Sequence, residues 1–223
     1  MRDVNADGYS GHVQPGGPAA RRLVAVGDGA VEVRKLSVGA MDNNAYVLVD
    51  PVSEAALLID AADEADRLLI EVDGLNLEVI VTTHGHPDHW QALDRLADAT
   101  GAPVWLHPDD ASMVPRTADR AAEDGEILRF GASSVRLIHT PGHTPGSTCL
   151  LLGDRHLFTG DTLFPGGPGR TTSTADFRQI MSSIQRRIFD ALADDTWIYP
   201  GHGDDTTLGA ERPKLGEWRE RGW

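Results

Sequence analysis

The segment from Thr83 to His89 is the part of the chain best equipped for chemistry. It contains an H-x-H-x-D-H spacing made by four potential ligands: His84, His86, Asp88 and His89. Neutral imidazole nitrogens and carboxylate oxygens are common ligands of divalent metals. Gly85 and Pro87 shape a turn on which these side chains can converge. The segment therefore predicts a metal site. The alternative is an aspartate favoured at a helix N-terminus beside polar loop histidines.

Three further candidate ligands stand in glycine-bearing turns, each after a short apolar run. They are His143 in Thr-Pro-Gly-His-Thr-Pro-Gly-Ser, Asp161 in Phe-Thr-Gly-Asp-Thr-Leu-Phe, and His202 in Tyr-Pro-Gly-His-Gly. Alone, each of these residues is more typical of a turn than of a metal site. With the first four they make seven, whereas one zinc ion is satisfied by about four ligands. Seven donors imply either two metals, which a shared carboxylate can bridge, or several side chains without a metal.

The elements that must position these residues are short strands interspersed with helices. Two series of strands are predicted, first at 31–36, 45–49, 55–59, 77–82 and 104–106, then at 126–130, 135–139, 148–152, 156–158 and 196–199. Helical periodicity marks 62–72, 90–99 and 175–192. Two strand series with accompanying helices favour an α/β (α+β) fold in which two packed sheets carry helices on their outer faces.

Composition bounds the organisation and the partners. The 223 residues suit a single domain over residues 23–223, preceded by a flexible, polar, glycine-rich N-terminal arm over residues 1–22. The chain has 34 acidic and 20 basic residues, for a net charge of −14, so neither nucleic acid nor an anionic membrane is an expected partner. No apolar run approaches the roughly 18 residues of a membrane span. Cys149 is the only cysteine, which excludes an intrachain disulfide and favours a cytoplasmic location.

The H-x-H-x-D-H motif with the later His, Asp and His resembles the metallo-β-lactamase superfamily over roughly residues 31–210. The resemblance implies an αββα sandwich of two mixed sheets, with helices on the outer faces and the metal site on loops at one edge. It implies a ligand set for a first metal: His84, His86 and His143. It implies a ligand set for a second metal: Asp88, His89 and His202. It also implies that one carboxylate, that of Asp161, bridges both metals.

The segment Thr159–Phe164, followed by Gly-Gly-Pro-Gly-Arg170, is similar to the glyoxalase II (hydroxyacylglutathione hydrolase) branch, which hydrolyses thioesters of small thiols. This resemblance implies that Arg170 holds a carboxylate of the thiol, as a guanidinium can do through two hydrogen bonds. An ordinary surface arginine is the alternative. Phe164 and Asn44 are further candidates for substrate contacts, although Asn44 also fits a plain turn.

Two departures from this branch leave the thiol open. Pro168 stands where the branch commonly has a cysteine, and the chain ends 21 residues after His202. The resemblance is therefore to a short form without the C-terminal helical domain that grips glutathione. Glutathione, mycothiol, bacillithiol and CoA all remain candidates for the thiol of a small-molecule thioester substrate.

The expected chemistry is hydrolysis of an acyl thioester by a hydroxide that bridges two divalent metals, zinc first, with iron or manganese as alternatives. Metal binding lowers the pKa of water from about 15.7 towards about 7. A thiol pKa near about 8.5 lets the leaving group depart as thiolate without a general acid. Asp88 is expected to orient the metal-bound hydroxide while it ligates the second metal.

Other activities share parts of this pattern. A mononuclear iron dioxygenase acting on persulfides would use His84, His143 and Asp161 as a two-His-one-carboxylate triad. Lactone hydrolysis could use the same two-metal site, and a metal-binding domain without catalysis is the alternative outside enzymes. Lactam hydrolysis is disfavoured, because the zinc β-lactamases lack the bridging aspartate in this sequence setting. A nuclease is disfavoured by the absence of spare length and of a basic patch. The oligomeric state is not predicted.

Overall fold

A computed structural model describes residues 9–222 of the chain. The first sheet has seven strands in chain order: β1 (Ala20–Val26), β2 (Gly29–Val38), β3 (Asn43–Val49), β4 (Ala55–Ile59), β5 (Asn76–Val81), β6 (Val104–Leu106) and β7 (Arg120–Ala121). Its first four strands pair antiparallel and the remaining pairs are parallel. All seven residues of β3 are buried, as expected for a strand covered on both faces.

The second sheet has six strands in the spatial order β15-β14-β11-β10-β9-β8. Their bounds are β8 (Ile127–Phe130), β9 (Ser133–His139), β10 (Thr148–Leu152), β11 (His156–Gly160), β14 (Trp197–Pro200) and β15 (Thr206–Thr207). Only the β11–β14 pair is parallel within this sheet of the described chain. A separate two-stranded ribbon joins β12 (Leu163–Phe164) to β13 (Gly167–Pro168).

Helices cover the outer faces of both sheets. They are α1 (Ala65–Val72), α2 (Leu93–Thr100), α3 (Thr174–Ser183) with a π-helical continuation over Ile184–Phe189, α4 (Leu208–Glu211) and α5 (Leu215–Arg221). At the start of α3, the Ser173 hydroxyl accepts a hydrogen bond from the Asp176 amide at 3.1 Å and so caps the helix. In the described chain no helix is both long and apolar enough to cross a membrane.

Three apolar clusters separate the four layers. One, with Tyr46, Leu150 and Phe158, fills the space between the two sheets. A second packs α1 and α2 on the first sheet, and a third packs α3 and α5 on the second. Full burial of one aliphatic or aromatic side chain is worth about 1.5–3 kcal/mol, so these clusters supply the main driving force for folding. The predicted αββα sandwich of two mixed sheets is confirmed.

The N-terminal segment differs from the sequence prediction. β1 begins at Ala20, inside the segment 1–22 that was expected to be a flexible arm. Tyr9 and Val13 are buried, and the Tyr9 hydroxyl donates to Oδ2 of Asp205 at 2.7 Å. The strand is hard to find in the sequence because charged Arg22 takes a buried position and apolar Leu23 an exposed one. The described part of this segment, residues 9–22, thus packs on the sandwich, while residues 1–8 lie outside the described chain.

Candidate metal centre

Seven potential ligands meet at one edge of the sandwich, where strands of both sheets end. The loop after β5 carries the H-x-H-x-D-H motif, and the loops after β9, β11 and β14 carry His143, Asp161 and His202. A backbone hydrogen bond joins the two sheets at this edge: the main-chain amide of Asn44 on β3 donates to the carbonyl of Gly201, just after β14, at 2.7 Å. Convergence of all seven was the central expectation from the sequence, and the structure brings them together.

Three ring nitrogens form the first group of potential ligands. His84 Nε2 lies 3.1 Å from His86 Nδ1 and 3.2 Å from His143 Nε2, and the latter two are 2.9 Å apart. A metal that binds nitrogen at about 2.0–2.1 Å in a tetrahedral site spaces its ligand atoms by about 3.3 Å. The spacing of this group therefore fits a single metal ion.

The second group combines one carboxylate with two rings. His89 Nε2 lies 3.2 Å from His202 Nε2, and Oδ2 of Asp88 lies 3.6 Å and 3.3 Å from these two nitrogens. The spacing again matches that of three ligands on one ion. The six residues thus lie in two groups of three, and His84 and His89 also lie together beside Asp161.

Asp161 lies between the two groups. Its Oδ2 is 3.5 Å from His143 Nε2 of the first group and 3.4 Å from His202 Nε2 of the second. Its Oδ1 lies 3.3 Å from His89 Nε2, is buried, and has no hydrogen-bond partner in the described chain. A buried carboxylate oxygen without a partner is costly, and cations on either side would relieve that cost.

Hydrogen bonds on the far side of three of the five rings select the tautomer. Nδ1 of His143 donates to the carbonyl of Arg170 at 2.7 Å, and Nδ1 of His202 donates to that of Met41 at 2.9 Å. His89 Nδ1 is held in the same way by Asp60 Oδ2 at 2.9 Å. When a metal replaces the proton on Nε2, donation through Nδ1 holds each of these three rings in the tautomer whose Nε2 electron pair binds the metal.

Two residues that the sequence analysis did not single out orient the motif. Asp60, which follows β4, also accepts hydrogen bonds from the Thr83 amide at 2.7 Å and the Thr83 hydroxyl at 2.8 Å. The Asn43 side chain donates to Oδ2 of Asp88 at 2.9 Å and to the Asp88 carbonyl at 3.0 Å. The available signal for Asp60 was its place directly after an apolar strand, at the same edge as the ligands.

Burial and local charge set the protonation of the centre. Burial lowers the pKa values of His84 and His86, which favours the neutral rings that bind metals. Burial also opposes charge on His202, but hydrogen bonds to Asp161 and Asp88 outweigh it and raise the pKa of His202 to about 10. Burial likewise opposes charge on Asp161, yet the neighbouring His89 holds the pKa of this carboxyl well below its usual value. The carboxylates of the centre thus require positive charge beside them, which divalent cations can supply.

The donor set fits two divalent metals. It consists of five imidazole nitrogens and two carboxylates, without a thiolate, and it lies on loops rather than inside a closed structural site. Nitrogen and oxygen donors of this kind suit zinc, iron and manganese. The spacings, the partnerless oxygen of Asp161 and the ring tautomers all agree with this assignment.

The three predicted substrate contacts have different surroundings. Arg170 is exposed, and its backbone holds His143. The ring of Phe164 is half-buried and its centroid lies 6.1 Å from that of His202. Asn44 is buried instead, and its amide donates to the carbonyls of Pro200 and Gly203 at 2.9 Å each. Asn44 therefore supports the His202 loop, and the neighbouring Asn43 is the residue that reaches the ligands.

A further group of potential ligands lies outside this centre and consists of His107, Asp109 and His139. The two rings stack with their centroids 4.0 Å apart and their planes 13° from parallel. His107 Nδ1 accepts a hydrogen bond from the Asp109 amide at 3.2 Å, and His139 Nε2 donates to the Pro145 carbonyl at 2.8 Å. One nitrogen of each ring is thus already engaged, and the stacked rings lie apart from the seven ligands of the centre.

The αββα sandwich with paired His/Asp ligand groups on its edge loops defines a class of metal-dependent enzymes. The family model described as metallo-β-lactamase superfamily matches residues 38–202. The chain belongs to this superfamily, and its similarity to the relatives below agrees with the glyoxalase II-like branch.

Among curated relatives, the hydroxyacylglutathione hydrolase GloC of Haemophilus influenzae is 33% identical over 204 residues, which is 82% of this chain and 95% of that protein. Three solved structures are also similar. ETHE1 from Myxococcus xanthus has a TM-score of 0.75 and 32% identity, and the match covers 83% of this chain and 84% of that one. TTHA1623 in a di-iron-bound form has a TM-score of 0.66, 32% identity and coverage of 80% and 96%. The B3 metallo-β-lactamase BLEG-1 has a TM-score of 0.75, 28% identity and coverage of 81% and 96%.

Proposed function

We propose that this protein is a metal-dependent hydrolase that cleaves acyl thioesters of a low-molecular-weight thiol. The observation that carries the proposal is the position of Asp161, whose carboxylate contacts His143 of one ligand group and His202 of the other. A carboxylate in this position can serve two metals at once. The similarity to a hydroxyacylglutathione hydrolase supports the thioester as the bond that is cleaved.

When bound, the two metals would supply an acidified water and a Lewis acid for the acyl carbonyl oxygen. The first would be held by His84, His86 and His143, the second by Asp88, His89 and His202, with Asp161 shared between them. Asp88 is catalytic in this proposal, because Asn43 fixes its carboxylate at the edge of the second group, where it can orient the attacking water. The thiolate leaves without a proton donor, since its thiol has a pKa of about 8.5.

Two side chains beside the ligands are proposed to contact the substrate. Arg170 is exposed, and its backbone carbonyl holds His143, so its guanidinium lies on the loop beside the first ligand group. A guanidinium suits a carboxylate on the thiol. The Phe164 ring lies on the His202 side of the centre and offers an apolar surface to the acyl group. With a net charge of −14, the chain is suited to a small thioester rather than to nucleic acid.

The test combines metal content with thiol release. Protein purified without added metal is analysed by inductively coupled plasma mass spectrometry, and thiol release is followed from acyl thioesters of glutathione, CoA and N-acetylcysteamine. We expect about two metals per chain and release from at least one thioester. Asp88→Ala should abolish release, whereas Asp109→Asn, an exposed change on a neighbouring loop, should leave it unchanged. Two bound metals without release from any thioester would exclude the proposal.

A second candidate is oxidation of thiol persulfides at one iron. The closeness of His84, His143 and Asp161 favours it, because 3.2 Å and 3.5 Å separate His143 Nε2 from the other two ligand atoms. Oxygen consumption with glutathione persulfide, in protein that holds one iron per chain, would favour this activity over hydrolysis. The same assay panel includes a lactone and a β-lactam. Faster cleavage of either compound than of any thioester would identify that compound class as the preferred substrate.

A further inference from the structure

Asp110 joins two loops of the metal centre from beneath. It is fully buried, on a two-turn 3-10 helix over Pro108–Met113. Its Oδ2 accepts hydrogen bonds from the Gly85 amide at 2.8 Å and the Thr144 hydroxyl at 2.6 Å, and its Oδ1 accepts one from the Gly146 amide at 2.7 Å. One carboxylate thus connects segments that are about sixty residues apart in the chain.

These two loops carry all three histidines of the first ligand group. Gly85 lies between His84 and His86, so the hydrogen bond to its amide fixes the peptide that joins two ligands. Thr144 directly follows His143 and is held by the same carboxylate oxygen. The distances among the three ring nitrogens therefore depend on how Asp110 sets one loop against the other.

The second ligand group is held by other acceptors and donors. His89 is oriented by Asp60, and Asp88 by Asn43. His202 is oriented by the Met41 carbonyl. None of the hydrogen bonds described for Asp110 reaches these three side chains, so their orientation depends on other residues.

Close packing shows that the loops approach the 3-10 helix as far as glycine allows. A Cβ on Gly85 would lie 2.6 Å from Cβ of Met113, and a Cβ on Gly146 would lie 2.7 Å from Cγ of Asp110. Because backbone amides reach the carboxylate directly, small movements of Asp110 are transmitted to both loops. Three donors also satisfy the carboxylate in its buried position, where an unpartnered one would be costly.

We propose that Asp110 is a positioning residue that sets the affinity of the first metal position, and not of the second, by holding the His84–His86 and His143 loops together. Asp110 does not touch the metal in this arrangement. The inference rests on the proposed two-metal centre but is independent of the substrate class. Replacement of residues that orient metal ligands typically weakens metal binding about 10–100-fold.

The test compares Asp110→Asn with the matched change Asp109→Asn in the full chain. Asparagine has about the same size, but its amide NH2 group would face one of the Gly85, Thr144 or Gly146 donors, which need an acceptor. Asp109 lies on the same 3-10 helix with its side chain 58% exposed. Zinc binding is measured by competition with a chromophoric chelator. We expect about 10–100-fold weaker binding at one of the two positions in Asp110→Asn, and wild-type binding at both in Asp109→Asn.

The affected position is identified by cobalt substitution, because with Asp161 shared, the first position has three nitrogen donors and one carboxylate, whereas the second has two nitrogens and two carboxylates. The cobalt absorption bands of the nitrogen-richer first position should weaken selectively in Asp110→Asn. Equal loss at both positions, or no loss at either, would overturn the inference. The melting temperature of the metal-free variants separates this effect from general destabilisation.

A gentler pair of variants keeps the test valid if Asp110→Asn does not fold. Thr144→Val removes one hydrogen bond to Asp110 at nearly constant volume, and Thr144→Ser retains the hydroxyl. We expect weakened zinc binding at the first position for valine and wild-type binding for serine; equal binding in both would contradict the inference. If wild-type protein binds two zinc ions but cleaves no thioester, the proposed function fails while this inference still stands.

Discussion

Oδ2 of Asp60 lies 2.9 Å from Nδ1 of His89, although 29 positions separate the two residues in the chain. The same carboxylate accepts two hydrogen bonds from Thr83, so the end of β4 holds both ends of the histidine-rich loop. Asp60 adopts φ 56°, a left-handed conformation that aspartate tolerates better than most residues. Both the backbone and the side chain of Asp60 thus serve this loop.

Asp60→Asn is expected to weaken metal binding at the second group about 10–100-fold. An amide nitrogen in place of Oδ2 would donate to Nδ1 of His89, which moves the ring proton to Nε2 and removes the electron pair that binds the metal. Chelator competition measures the affinity, with Asp66→Asn on the exposed face of α1 as the control. Unchanged affinity at both positions in Asp60→Asn would show that the carboxylate does not set the tautomer.

Arg170→Ala is expected to raise KM about tenfold for an acyl-glutathione and to leave KM unchanged for the same acyl group on N-acetylcysteamine, which has no carboxylate. A guanidinium–carboxylate contact of roughly 1–2 kcal/mol accounts for this size of effect. The Arg170 carbonyl that holds His143 is kept in the variant, so metal content should not change. Arg178→Ala, an exposed change on α3, is the control. An equal rise for both substrates would refute carboxylate recognition.

Lys35→Met is expected to lower the free energy of unfolding of the metal-free protein by about 3–5 kcal/mol at pH 7. Lys35 Nζ donates to Oδ1 of Asp205 at 2.7 Å, both side chains are fully buried, and removal of the ammonium leaves a buried carboxylate without its cation. Urea unfolding measures the change.

Lys214→Met serves as the comparison for this buried pair. Lys214 pairs with Glu211 at 3.1 Å and is 42% exposed. Glu211 is buried but keeps hydrogen bonds from the Gly166 amide and the Thr206 hydroxyl, so the loss of Lys214 should cost only about 0–1 kcal/mol. If Lys35→Met and Lys214→Met lower the free energy of unfolding by similar amounts, burial does not make the Lys35–Asp205 pair more important for stability.

His156 is expected to make stability fall in mild acid. Burial, and then the positive charge of Arg22, lower the pKa of His156 from 6.5 to about 4. The unfolded chain therefore takes up the proton first as pH falls. The contribution of neutral His156 to the free energy of unfolding is fully present above pH 6.5 and is lost progressively between pH 6.5 and about 4.

With about 1.4 kcal/mol per pH unit, this loss is on the order of 3 kcal/mol. Unfolding free energies of the metal-free protein at pH 7 and pH 4.5 should therefore differ less in His156→Gln than in the wild type. The exposed His12 provides the control, because its pKa is raised by Asp204 and its removal should not reduce the acid loss. A wild-type pH slope in His156→Gln would contradict this explanation.

The ligand set could be predicted from the sequence because its chemistry is local. The H-x-H-x-D-H spacing places four donors in one turn, and the other three each follow an apolar run that ends a strand. Residue type and position along the chain therefore identified seven candidate ligands, and the family resemblance implied that they meet at one edge of the sandwich. The helix and strand pattern similarly predicted two covered sheets.

The positioning residues were decided only by the tertiary structure. Asp60 and Asp110 are ordinary turn aspartates in the sequence, and their roles come from partners 23 to 36 positions away. Asn43 and Asn44 are neighbours on β3, where successive side chains point to opposite faces. Because they are consecutive, Asn43 points to the face where it reaches Asp88, and Asn44 points to the face where it supports the His202 loop. The types and chain positions of the potential ligands are set by the sequence, whereas their orientation depends on hydrogen bonds between distant segments, which exist only after the two sheets have packed.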